Sequence, residues 1–145
     1  MIEMLKTSRV ILYYNGAISA LTLFLQHPDE SVCTPNPLPV LSSVLDDDEM
    51  PQNIDLMAPA KIVSAISKTM DLPENLLQAN TAYREQVDAP GGIITVYLAR
   101  FNALDPPRLL MAEKNCKFRT LTELRNGPPA EMELLRRAYA LLMES

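Results

Sequence analysis

The chain has 145 residues, 48% of them apolar, and a formal net charge of −5 from 13 basic and 18 acidic side chains. That length suffices for one core and is short for two, so residues 1–145 read as a single domain. The scattered lysines and arginines exclude the concentrated basic surface that duplex nucleic acid requires, and no run approaches the ~20 apolar residues of a membrane span.

The start, "MIEMLK", lacks a basic segment followed by a long apolar one, which argues against a secretory signal and for a cytoplasmic protein. Residues 9–14, "RVILYY", are β-branched and aromatic, and 18–25, "ISALTLFL", form a second such run. Asn15-Gly16 between them predicts a hairpin with a type I′ turn, since both residues tolerate positive φ. Tyr13 and Tyr14 are consecutive in a strand, so they point to opposite faces and at most one can stack on a ligand. His27 is the only histidine. No serine or cysteine motif surrounds it, so it reads as a surface or packing residue rather than part of a triad.

Residues 28–51 carry Pro28, Pro35, Pro37, Pro39 and Pro51, which remove backbone donors and fix φ. Only a short strand or turn around Val40–Leu45 is expected there. The run Asp46-Asp47-Asp48-Glu49 reads as a solvated loop, because neighbouring like charges repel without an ion. Residues 59–71 predict a helix that starts at Pro59 and stops before Pro73. Ile62, Val63, Ile66 and Met70 make its apolar stripe, with Lys61, Ser64, Lys68 and Asp71 opposite.

Strands are expected at 81–87 and 93–101, joined by the loop Asp88-Ala89-Pro90-Gly91-Gly92. That loop precedes a strand rather than a helix, so it reads as a turn and not as a phosphate cradle. A link through Asp105-Pro106-Pro107 leads to a short strand at 118–122. A helix follows from Pro129 to Met143, with Met132, Leu135, Tyr139 and Leu142 inward and a Glu133–Arg137 pair outside. The class is α+β, a mixed sheet flanked by helices, with no internal repeat. Cys33 and Cys116 show neither CxxC nor metal-ligand spacing and read as free thiols.

The Asp88–Gly92 loop, the "IITVYLA" strand and the segment "FRTLTELRNGPPAEMELLRRAYALL", with the opening hairpin and the helix at 59–71, resemble the Nudix hydrolase superfamily. The resemblance implies a mixed β-sheet in an α/β/α sandwich, with the 59–71 helix in the place of the catalytic helix. The family's box runs Gly, five residues, Glu, seven residues, Arg-Glu, an aliphatic, any residue, Glu-Glu, any residue, Gly, an aliphatic, and its carboxylates hold Mg²⁺. With the two aliphatics on Ile66 and Leu72, Arg-Glu falls on Ser64 and Ala65, Glu-Glu on Lys68 and Thr69, and the late Gly on Asp71. The early Glu falls on Leu56 and the first Gly on Met50. Asp71 is the only carboxylate between 56 and 73.

The resemblance therefore implies a Nudix-like domain with a degenerate box, without a metal or other cofactor and without diphosphate hydrolysis. Its expected role is binding a small anionic, nucleotide-like ligand or a protein. Lys68, Arg84, Glu85, Tyr97 and Arg100 are the candidate ligand-binding residues; the bland alternative for the strand residues is cross-strand pairing. The alternative function is a diverged hydrolase of nucleoside diphosphate derivatives that recruits Glu85, Asp88 or the Asp46–Glu49 run to hold Mg²⁺. A third expectation is a structural role as a homodimer or complex subunit, through apolar residues of Leu109–Met111 or the last helix.

Overall fold

In the computed structural model, which describes residues 6–16, 21–46 and 58–144, the stretch "SRVILYYN" forms β1 (Ser8–Asn15), buried along nearly its whole length. A strand apolar on both faces belongs between two covering layers. β1 holds that position: it pairs in parallel with β6 (Gly92–Phe101) on one side. On the other it pairs antiparallel with β2 (Thr22–Gln26) and, further toward its start, with the two-residue β3 (Cys33–Thr34). The sheet runs β4–β5–β6–β1–β2–β7, with β4 at Ser43–Val44, β5 at Leu77–Ala89 and β7 at Lys117–Arg119.

Period-two alternation divides the core cleanly. Val10, Leu12 and Tyr14 point to one side, where Ile62, Val63 and Ile66 of α1 (Ala58–Thr69) pack on them together with Met111 of the short α2 (Arg108–Ala112). Ile11 and Tyr13 point to the other, where α3 (Pro129–Glu144) lays down Met132, Leu134, Leu135, Ala138 and Leu142. Each fully buried aliphatic or aromatic side chain contributes roughly 1.5–3 kcal/mol. The result is the expected α/β/α sandwich. No helix among the described residues is long and apolar enough to cross a membrane.

α1 stops in a left-handed turn. The Leu72 N–H donates to the Ser67 carbonyl at 2.9 Å, and Asp71 takes φ +54°. This is the geometry that most often carries glycine just past a helix end, because a Cβ there costs energy.

Several expectations change. The hairpin forms, but Asn15 is the last residue of β1, paired with Thr22. The Gly16 N–H donates to the Leu21 carbonyl at 2.9 Å, so the connection is longer than a two-residue turn and β2 starts at Thr22 rather than at 18. Pro90-Gly91 makes the tight turn instead, since Ala89 pairs with Gly92. The last strand covers Lys117–Arg119, then gives way to a 3₁₀ turn at Thr122–Leu124. The link after Asp105 leads into α2, in which Leu109 is 86% exposed while Met111 is fully buried. Tyr139 lies 37% exposed on the flank of α3, displaced from the inward row by Ala138.

Candidate functional site

The helix that the resemblance assigns to metal chemistry shows solvent a surface of Lys61, Ser64, Lys68 and Thr69. None of these is a carboxylate, and none occurs from Ala58 to Met70. Ala65, where the resemblance sets the Glu of the Arg-Glu pair, is 4% exposed and packed toward the sheet. A carboxylate there would be desolvated, at a cost that only a partner or a metal could offset. Met50 and Leu56 lie outside the described residues, as do Asp47, Asp48 and Glu49 of the acidic run.

The strand candidates divide between the two sides of the sheet. Arg84 is paired in register with Tyr97, on the side that α1 covers; Tyr97 is buried in that core cluster and Arg84 is half-buried. Arg100 extends the Ile94–Val96–Leu98 row of the α3 side, and its Nη2 donates to Asn102 Oδ1 at 3.1 Å. Asn80 Nδ2 donates to the Tyr13 hydroxyl at 3.1 Å on that same side. Tyr14 faces α1 instead, and its hydroxyl donates to the Leu104 carbonyl. Both tyrosines are buried, one in each layer.

Glu85 belongs to an ionic network whose centre the sequence revealed only in part. Arg137 of α3 reaches Glu85 Oε1 at 2.6 Å, Glu133 Oε2 at 2.9 Å and Asp46 Oδ1 at 3.2 Å, and it donates to the Leu45 carbonyl at 2.8 Å. Burial by itself lowers the Arg137 pKa, but its hydrogen bonds to Glu133 and Glu85 outweigh burial and hold it raised. The spacing of Glu133 and Arg137 predicted one of these bonds; the other partners come from residues about fifty and ninety positions away, which no local pattern reveals. Asp88 lies three residues beyond Glu85 in a regular stretch of β5 and so faces the opposite side. These two carboxylates cannot close on one ion. Among the described residues no three of His, Cys, Asp and Glu gather where they would hold a metal. Among the described residues this leaves no group that fits a divalent cation.

The sole histidine and one of the two thiols meet. Cys116 Sγ lies 3.6 Å from His27 Nδ1, and His27 Nε2 is buried without a hydrogen-bond partner. Burial lowers the His27 pKa and raises that of Cys116, so both are neutral near pH 7. A neutral thiol beside a neutral imidazole, 4% exposed, is a packing contact rather than an activated nucleophile. Cys33 is buried as well, its pKa pushed up chiefly by desolvation.

A cavity lies on the α3 side. It measures about 710 Å³ and opens between the proline-rich segment around residues 37–42 and the first turn of α3. Arg9, buried in β1, holds that segment by donating to the Pro37 carbonyl (3.3 Å), and it also donates to the nearby carbonyls of Lys6 (3.2 Å) and Ser8 (2.9 Å). On the opposite wall the buried Glu131 carboxylate accepts from Ser31 Oγ at 2.7 Å and from the Val32 N–H at 3.2 Å. Sequence reading singled out neither Arg9 nor Glu131, because their partners are carbonyls and hydroxyls contributed from across the fold.

These features define a Nudix-like α+β fold: a mixed curled sheet between helices. Among solved structures the chain is similar to the crystal structure of the C. elegans Ap4A hydrolase, at 20% identity and a TM-score of 0.53 over 93% of this chain and 96% of that one. At that identity the likeness establishes the fold; the activity in the name belongs to that protein. No protein-family model and no curated protein matches the sequence.

Proposed function

We propose that this chain is a Nudix-like domain that does not hydrolyse diphosphates with a metal and instead binds a small phosphate-bearing, nucleotide-like ligand or a protein. One observation carries the reading: the solvent face of α1 is built of an ammonium, hydroxyls and a second lysine. A divalent cation in such a site needs several carboxylate oxygens near 2 Å, which neutralise it and orient its water. In the register that the resemblance gives, Lys68 and Thr69 fall on the box's adjacent glutamates, and an ammonium there would repel Mg²⁺. The engagement of Glu85 by Arg137 and the opposite facing of Asp88 support the same view, since neither is available to replace the missing ligands. Lys68 and Lys61 provide positive charge for a phosphate without metal.

The test is turnover with Mg²⁺ or Mn²⁺ across nucleoside diphosphate derivatives and dinucleoside polyphosphates. No metal-dependent product release is expected. Clear turnover abolished by a chelator would overturn the proposal.

A further inference from the structure

From the cavity between the proline-rich segment and α3, we infer a second binding site, for a small organic cation with an apolar body. It is separate from the α1 surface and goes beyond the reading above. At about 710 Å³ the cavity falls within the ~300–1,000 Å³ usual for small-ligand sites. Its walls are Val32, Leu38, Leu124, Met132 and Leu135, which suit an alkyl or aromatic group. Leu41 stands at the rim, held outward and 87% exposed by a backbone at φ +67°.

Charge selects the rest of the ligand. Asp29, Glu30, Glu123 and Glu131 line the cavity, and among the described residues no lysine, arginine or histidine does. Arg9 and Arg119, which bond to wall residues, are both engaged. Arg119 pairs with Glu123 at 3.6 Å, and Arg9 donates to backbone carbonyls. The start of α3 would ordinarily attract an anion. Here Pro128 and Pro129 supply no N–H, and the Glu131 carboxylate already occupies the first turn. An anionic ligand meets like charge and few donors. An ammonium meets Asp29 and Glu30 at the mouth while its apolar part fills the interior.

Three probes of one shape decide the matter: phenylbutylammonium, phenylbutanol and phenylbutanoate, titrated against the whole chain by calorimetry and by thermal shift. The ammonium is expected to bind about tenfold more tightly than the alcohol, and the carboxylate not measurably. The Asp29→Asn/Glu30→Gln variant keeps the Asp29 acceptor for the Ser31 N–H; it is expected to lose most of the preference for the ammonium while binding the alcohol as before. Ala130→Phe, which places a ring at the mouth, is expected to abolish binding with the melting temperature retained. Equal binding of all three probes, tightest binding of the carboxylate, no binding of the ammonium, or binding that survives in a folded Ala130→Phe variant would each overturn the inference. None of these outcomes bears on metal-dependent turnover.

Discussion

Arg137 and Glu85 meet at 2.6 Å across the gap between α3 and β5, with 23% and 14% of their side chains exposed. The same guanidinium holds Glu133, Asp46 and the Leu45 carbonyl. It therefore fixes α3 against the sheet and anchors the end of the segment that follows β4. Removing one partner of a partly buried, charge-assisted bond leaves the other under-solvated. Glu85→Gln should cost about 1–2 kcal/mol, reduced from the fully buried value by solvent access. Arg137→Met should cost more, because it removes the shared partner of Glu85, Glu133 and Asp46 at once. Chemical denaturation of both variants measures this. If Arg137→Met proved the milder change, the guanidinium would not be the centre of the network.

Asp71 has the opposite sign. It sits at φ +54°, one residue before the Leu72 N–H that closes the end of α1. Its carboxylate also lies at the negative end of the helix. Asp71→Gly should stabilise the fold by about 0.5–1 kcal/mol, since glycine enters this conformation freely and the unfavourable charge is removed. An unchanged or lower melting temperature would mean that the aspartate side chain makes a compensating contact.

What the sequence made legible was what repeats locally. β6, α1 and α3 emerged because "IITVYLARF", the Ile62–Ile66 stripe and the Met132–Leu135–Leu142 row each display a period. The two-residue β3 and the five-residue α2 are too short to show one, and two prolines before Arg108 made a helix there look like a link. Asn15-Gly16 carried the strongest turn signal, yet pairing of Asn15 with Thr22 overrode it. Tyr139 shows the limit of a stripe: the row turns inward at Ala138, which is fully buried, and the larger neighbour is left at the edge. The cavity was invisible for a different reason. Its walls join Ser31 to Glu131 across a hundred positions, a juxtaposition created by the sheet order and written in no stretch of chain.

His27 gives a pH signature. Burial lowers its pKa below the ordinary value of 6.5, and its Nε2 has no partner that a proton would satisfy. The unfolded chain binds the proton near pH 6.5, whereas the folded chain resists it to lower pH. Through that window the unfolded state holds more protons, so stability rises with pH and is lost as pH falls below 6.5. Melting temperatures between pH 7.5 and 5, about the range in which a histidine titrates, should fall in the wild type and stay flatter in His27→Gln. This interval lies above the range where Glu133, held low by its hydrogen bonds to Arg137 and Arg136, begins to take up protons. A wild-type profile parallel to that of the variant would place the pH response elsewhere.

The electrostatics of α1 can be tested apart from turnover. A ligand stabilises a protein according to its concentration over its dissociation constant, about 2.7 kcal/mol at a hundredfold excess. If Lys68 attracts phosphate directly, a nucleotide that raises the melting temperature should raise it equally with Mg²⁺ and with a chelator, because no metal bridges the two. Mg²⁺ alone should not shift the wild type. Lys68→Glu reverses the charge at an exposed position and should weaken the nucleotide shift while leaving the unliganded unfolding free energy within about 0.5 kcal/mol of the wild type, as surface substitutions usually do. Stabilisation that appears only with Mg²⁺, or that is indifferent to Lys68→Glu, would mean that the phosphate is held through a cation or by other residues, and the metal-free reading of this helix would fall.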